Sequence, residues 1–363
     1  MINRCLALCV AFVMGCGATA EDGTFPCTEQ GVRDAIAEGG GPHIFACNAP
    51  TPVTADFMID NDVILDGRGA LAIGSIEVLE GVVVELRGIE IGRGVLADST
   101  GVINRGTLRM VDSHISRQDR YGLINSGSVT LIRCQVTRNG GGVISSGTLE
   151  AIDTTISGNA TGADNEDSAA GLDNLGTARL RNCTVSSNVD RGARGSGGIY
   201  NAEGGRLTAT NVTLSNNQGA DAGALINAGT LRVAHLTLSG NMGAVDIRNE
   251  GDAQIRNSVV EGDCEGDLVS GGYNVESPGT TCDLTAEGDQ DGIASSALGL
   301  EPLADNGGLT ETQALAAGSP ALAEIPGDRC LDAEGEPLTE DQRGEPRPTS
   351  AVAACDVGAF EAP

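Results

Sequence analysis

Aromatic residues are nearly missing from this 363-residue sequence: tryptophan is absent, and there are five Phe and three Tyr. A globular domain of this length draws much of its core from such rings, so a conventional core of large side chains is excluded. Basic residues are scarce too, 22 against 50 acidic, for a formal charge of −28. That balance speaks against nucleic acid or an anionic lipid surface as partner. Histidine occurs three times, at His43, His114 and His235. These are far apart, with no Ser/His/Asp set and no metal-site spacing around them, so each is expected as a polar surface or corner residue. What is abundant is glycine, 53 residues, and small aliphatic side chains; 40% hydrophobic content suffices for a narrow, repetitive interior.

The N-terminus reads as a targeting segment. "MINR" and "CLALCVAFVM" give a positive start and an apolar run of signal-peptide length, too short to span a bilayer. "VMGC" resembles a bacterial lipobox with Cys16 as the lipidated residue, and cleavage before 16 is favoured over cleavage after 20 at "ATA". The expectation for 1–20 is therefore a signal peptide, and for the mature chain an extracytoplasmic place: an outer-membrane or cell-surface lipoprotein held through its N-terminal lipid, otherwise a secreted protein.

One phrase recurs: "LINSGSVTLIRCQVTRN" at 123–139, "VISSGTLEAIDTTISGN" at 143–159, "LINAGTLRVAHLTLSGN" at 225–241. Its marker residue is Asn104, Asn125, Ser145, Asn174, Asn201, Asn227 and Asn249, at intervals of 21, 20, 29, 27, 26 and 22 residues. Within each unit apolar and polar residues alternate over three short stretches, the signature of half-buried strands. Such a unit cannot bury its inner face alone, but stacked units can. The expected fold is all-β: a single-stranded right-handed parallel β-helix with three short strands per coil, a short N-terminal capping helix and an irregular C-terminal cap. The boundaries read from the sequence are 21–58 for the N-terminal cap, 59–263 for the coils, and 264–363 for irregular final coils and the C-terminal cap. Length changes fall at one corner, in 160–171 and 189–198.

The last residue of the phrase repeats as Asn139, Asn159, Asn188, Asn217 and Asn241, with Asp263 last. Stacked amides bond up and down a parallel stack, and Asn tolerates a left-handed corner, so these form a structural ladder. "TEQGVRDAIAEGG" at 28–40 predicts the capping helix, with Thr28 as N-cap, Val32, Ala35 and Ile36 on one face and Gly39 at the end. In an exported chain, Cys27–Cys47, Cys264–Cys282 and Cys330–Cys355 are candidate disulfides. Cys134 and Cys183 share a slot two coils apart, too far for a bond, and are expected as small buried residues.

"VRDAI" (Val32–Ile36) following Cys27 resembles the CSLREAI motif, and "CDVGAFE" (Cys355–Glu361) resembles the closing motif of choice-of-anchor Q proteins. The resemblance spans most of the mature chain and implies an exported bacterial right-handed β-helix protein; it supplies no agreed catalytic set.

No paired-carboxylate, Asn-Thr-Asp, Asp-Asp or Gly-His-Gly motif of the polysaccharide hydrolases is present, so no catalytic residue is assigned. The best ligand-binding candidates are Asp164, Glu166 and Asp167 in one long loop with Arg191 and Arg194 in the next, a set that leaves room for Ca2+ although no cofactor is required. Outward third-strand positions carry a hydroxyl lattice, among them Gln135/Thr137, Thr155/Ser157, Thr184/Ser186, Thr213/Ser215 and Thr237/Ser239. The functional expectation is a non-catalytic surface scaffold or adhesion module for a glycan or cell-surface polymer. The alternative is a polysaccharide lyase or hydrolase acting on acidic glycans.

Overall fold

The computed structural model describes residues 23–363 except 49, 93–98, 163–167, 349 and 351. The chain winds as a parallel β-helix whose coils contribute strands to three sheets. Sheet 1 holds the marker strands, such as Val102–Asn104, Tyr121–Asn125, Gly141–Ser145, Leu172–Asn174 and Ile199–Asn201. Sheet 2 follows, with Thr107–Val111, Ser128–Ile132 and Thr148–Ile152, and sheet 3 with His114–Ser116, Gln135–Thr137 and Thr155–Ser157. In later coils one long strand, as in Thr177–Ser186 or Arg206–Ser215, turns from sheet 2 into sheet 3. The register is the one the repeat predicts: Leu108, Val129, Leu149, Ala178, Leu207 and Leu231 pair in one inward file, each side chain buried.

Two amide ladders run along the interior. In sheet 1, Asn104 donates to Asn125 at 2.8 Å and Asn125 to Ser145 at 3.0 Å. After that break, Asn174 donates to Asn201, Asn201 to Asn227 and Asn227 to Asn249 at 2.6–2.7 Å. The second ladder is the expected Asn139, Asn159, Asn188, Asn217 and Asn241 column. Each carboxamide donates to the next at 2.9–3.0 Å, and each backbone N–H donates to the same oxygen. Gln118 heads the column, its N–H bonding Asn139.

Two details of that column differ from expectation. The left-handed residue is the one before each member of the column: Arg117, Arg138, Gly158, Ser187, Asn216 and Gly240 have φ between 55° and 67°. This lets the ladder Asn keep its side chain inward. Asp263 lies outside the column, because the corner shortens there and its N–H bonds the Asp246 carboxylate instead. A second left-handed column, Asp112, Arg133, Asp153, Asn182, Asn211 and His235, turns sheet 2 into sheet 3. The glycine of the recurring phrase answers a close approach: a Cβ on Gly147 would lie 2.0 Å from the Gly127 carbonyl oxygen, and one on Gly176 2.2 Å from that of Gly147.

The capping helix spans Glu29–Glu38, with the Thr28 side chain accepting from Gly31 N–H and Val32, Ala35 and Ile36 buried. Parallel pairing extends beyond 59–263 on both sides. It begins with Thr24–Phe25 on Gly40–Phe45 and continues to Val275–Ser277 and the bridge to Gln290. In the run at 56–69, Ile59, Val63 and Leu65 point inward and Asp60 and Asp62 are exposed. All three disulfides form, Cys27–Cys47, Cys264–Cys282 and Cys330–Cys355, at Cα separations of 5.4, 4.8 and 6.4 Å. Cys134 and Cys183 are buried free thiols, pushed up by burial to about 11 and about 12, hence inert. No helix among the described residues is long and apolar enough to cross a membrane.

The C-terminal cap is a strap rather than a plug. After residue 290 the chain runs back along the outside of sheet 3 and is locked there by residues 341–361. Arg347 is fully buried, donating to Glu361 at 2.7 Å and to the Asp356 and Gly358 carbonyls at 3.0 and 2.6 Å. Arg343 bonds Asp341 and lies 3.8 Å over the Phe360 ring. The closing motif at 355–361 is thus the female half of a clasp into which Arg347 is threaded.

Candidate functional site

The outer face of sheet 3 carries two in-register rows. One row runs Glu90, His114, Gln135, Thr155, Thr184, Thr213; the other runs Ser116, Thr137, Ser157, Ser186, Ser215. The strap divides this face. At its C-terminal end the lattice is occupied: Thr184 donates to the Glu311 carbonyl at 2.6 Å, and the Gln342 carboxamide bridges Thr184, Thr213 and Thr310 at 2.7–2.9 Å. Ala359 N–H bonds Thr237. The expectation of one open hydroxyl lattice is therefore corrected, for Thr184, Thr213 and Thr237 are buried under the chain's own C-terminus.

The other end stays open as a groove along the solenoid axis. Three adjoining cavities of ≈ 330, ≈ 390 and ≈ 340 Å³ share Gln135 and are closed off by strap residues Leu303, Leu309 and Glu311. A fourth of ≈ 460 Å³ continues it toward the N-terminus past Glu90, Arg117 and Pro52. The floor is Gln135, Thr137, Thr155 and Ser157. One wall is the corner bearing Asp112, Arg133 and Asp153, where Arg133 bonds Asp112 twice, at 2.6 and 2.7 Å; this pairing holds the Asp112 carboxyl below its ordinary range. The opposite wall is the corner bearing Arg117, Arg138, Gly158 and Ser187; Arg117 pairs with Glu90 at 2.9 Å.

His114 sits half-buried between these walls, with Nε2 2.6 Å from Thr137 Oγ1. Burial pulls its pKa below the ordinary imidazole value, Glu90 opposes this, and Arg117 and Arg138 reinforce it. The ring is neutral at neutral pH. The expectation of a polar surface or corner residue fails for His43, is met at the corner by His235 although it is buried there, and finds His114 half-buried. His43 is buried with Nε2 2.9 Å from Gly39 O. His235 keeps its corner but is covered by the strap, one nitrogen 3.2 Å from Gly358 O and the other 3.1 Å from Asn257. Among the described residues, the one group of three His, Cys or acidic ligand atoms within 4.8 Å is His235, Cys330 and Cys355, and both sulfurs are consumed in the disulfide.

Of the loop set expected from the sequence, Asp164, Glu166 and Asp167 lie outside the described residues, as does Cys16. Arg191 and Arg194 are exposed on the loop 189–198. That loop follows Ser187 and Asn188, so it rises from the same corner that walls the groove. Of the groove residues themselves, Glu90, Arg117 and Arg138 were not singled out by sequence reasoning, and His114 was read there as a polar surface or corner residue. Extending the third-strand alignment toward the N-terminus by two coils would have put Glu90 and His114 in the Gln135 row.

Asp173, on the outer face of sheet 1 between Ile144 and Tyr200, is 9% exposed, and its Oδ1 has no hydrogen-bond partner among the described residues. Burial pushes its carboxyl up to about 7. A raised folded-state pKa means that the fold holds a proton the unfolded chain has lost. Stability from this group is thus fully present below about pH 4 and falls as pH rises toward 7. Asp173→Asn should flatten that slope and raise stability at pH 8 by as much as about 4 kcal/mol; equal pH profiles in urea unfolding would refute it.

No family model matches the chain, and no curated protein is similar to it. Among solved structures it is similar to the crystal structure of pectate lyase Pel9A, with a TM-score of 0.49 and 14% identity over 91% of this chain and 90% of that one.

Proposed function

We propose that this protein is a non-catalytic, exported binding module that holds an extended carbohydrate chain of a glycan or cell surface along the groove of sheet 3. The disulfides place the chain in an oxidising, extracytoplasmic setting; attachment through a lipid on Cys16, at the outer membrane or cell surface, belongs to the same proposal. The observation that carries it is the in-register floor, Gln135 with Thr155 and Thr137 with Ser157. Successive coils repeat at about 4.8 Å, close to the length of one sugar unit in an extended 1,4-linked chain. Consecutive sugars therefore meet equivalent donors and acceptors. With no tryptophan in the sequence and no Phe or Tyr in the described groove lining, recognition runs through hydrogen bonds and charge rather than aromatic stacking.

The test is a binding screen on polyuronides and neutral glycans, with and without Ca2+. Binding without release of new ends is expected. Gln135→Ala combined with Thr155→Ala should weaken it by about tenfold, two lost hydrogen bonds at about 0.5–1.5 kcal/mol each. Unchanged affinity in the folded double variant would move the site elsewhere, first to the Arg191 and Arg194 loop edge. One observation favours a second reading, cleavage of an acidic glycan: the neutral imidazole of His114 in the groove floor is a competent proton acceptor. Release of unsaturated ends, abolished in His114→Asn, would establish that reading over the first.

A further inference from the structure

We infer that the groove selects a polymer carrying carboxylate groups, a polyuronate, and that Arg138 is the residue that reads the carboxylate. The inference rests on the groove being a carbohydrate site and names its ligand class. Among the described residues three arginines line the groove, and two are already paired. Arg117 is held by Glu90 at 2.9 Å and Arg133 by both oxygens of Asp112. Arg138 is exposed and has no ion pair among the described residues.

Its position is fixed by the fold. Arg117 and Arg138 occupy equivalent left-handed corners of adjacent coils, each with φ of 58°. The next corner in the file is Gly158, and a Cβ there would lie 3.7 Å from Arg138 Cγ. The arginine stem thus rests on the bare glycine backbone and reaches the cavity it shares with His114, Thr137, Ser157 and Glu311. The result is a guanidinium lining the same cavity as the Thr137 and Ser157 hydroxyls, one coil from the Arg117 corner. The ring of His114 beside it adds no charge at neutral pH.

The chemistry points to a carboxylate. A guanidinium presents a planar fork that takes both oxygens of a carboxylate, where an ammonium offers only a point charge. The sequence contains no lysine, so all 22 basic residues are arginine. Glu311 stands across the same cavity without an ion pair to Arg138. It repels a second anion, so the carboxylate of a bound sugar is directed to the Arg138 wall and its hydroxyls to the strap side.

The experiment compares polygalacturonate with its methyl ester, the same backbone with its charge masked. The wild-type protein should bind the acid form more tightly by about tenfold or more, the range of one charge-assisted bidentate contact, with the advantage shrinking as NaCl is raised. Arg138→Gln should keep the affinity for the ester and lose the preference for the acid, and Arg138→Lys should recover only part of it. Glu311→Gln should tighten binding of the acid alone. Equal affinity of the wild type for both polymers, or a preference that survives in Arg138→Gln, would overturn the assignment of Arg138 while leaving the groove as the site. Binding of neither polymer would overturn the polyuronate reading, and the groove as a carbohydrate site falls with it only if the neutral glycans of the screen also fail to bind.

Discussion

Replacing Asn188 with leucine should lower the unfolding free energy by about 3–6 kcal/mol. Leucine fills a similar volume, so the loss comes from polarity. In the native coil the Asn188 carboxamide donates to Asn217 Oδ1 and to Ile156 O, both at 3.0 Å, and accepts from Asn159 N and Nδ2 at 3.0 and 2.9 Å. Removing it strands at least three fully buried groups, each at about 1–3 kcal/mol, where water cannot replace the partner. Asn241, partly exposed at the end of the same column, should tolerate the change at lower cost. Urea denaturation followed by circular dichroism reads both. An Asn188→Leu variant within about 0.5 kcal/mol of wild type, the range of an ordinary surface change, would mean that the ladder contributes shape but not stability.

The second large effect is expected at the clasp. Arg347→Met strips the Glu361 carboxylate of its counter-charge, leaving it only the Asp356 N–H, and takes the guanidinium from the Asp356 and Gly358 carbonyls in a closed site, a loss of about 3–5 kcal/mol for breaking a buried pair from one side. Burial already pushes the Glu361 carboxyl up to about 7 and opposes the charge on Arg347; their mutual contact works against this, as do Asp341 and Asp356 for Arg347 and the Asp356 N–H for Glu361. The damage should stay local. The β-helix should keep its spectrum while the strap, tethered by Cys330–Cys355, becomes open to protease between 300 and 363. The companion Arg347→Met with Glu361→Leu removes both charges together and should recover much of the loss. Continued protection of the strap in Arg347→Met would show that the clasp is held by something other than this pair.

These two variants also mark what was legible in the sequence. The ladder was, because a solenoid writes its contacts at a fixed period: Asn159 meets Asn188 for the same reason that Leu149 meets Ala178. The three disulfides were legible as local pairs within about one coil of sequence. The strap was not. Thr184 meets Glu311 and Gln342 across 127 and 158 residues, and nothing periodic connects those segments. What depends on the strap was hidden with it: the covering of the hydroxyl lattice at Thr184, Thr213 and Thr237, and the burial of His235 at its corner. The candidate site suffered in the same way. Its floor was visible as Gln135, Thr137, Thr155 and Ser157, yet the strap alone turns a flat face into a groove with an end. The corner geometry failed for a subtler reason. A one-residue shift of the left-handed position from Asn139 to Arg138 leaves the repeat unchanged but decides which side chain faces solvent, and so hid the arginine.

The strap crosses sheet 3 at the Thr184 coil, and the floor on its open side advances one coil at a time. The span available to a ligand is therefore a whole number: it is counted in rungs, as on a ruler read against a fixed stop, and is not sculpted by loop shape. Splicing one further copy of the coil 123–143 into the chain would lengthen the scale by one division without a new core to design, since each rung is completed by its neighbours. Such a protein should prefer an oligosaccharide longer by one unit, so chain length, no less than charge, would be written in the number of turns.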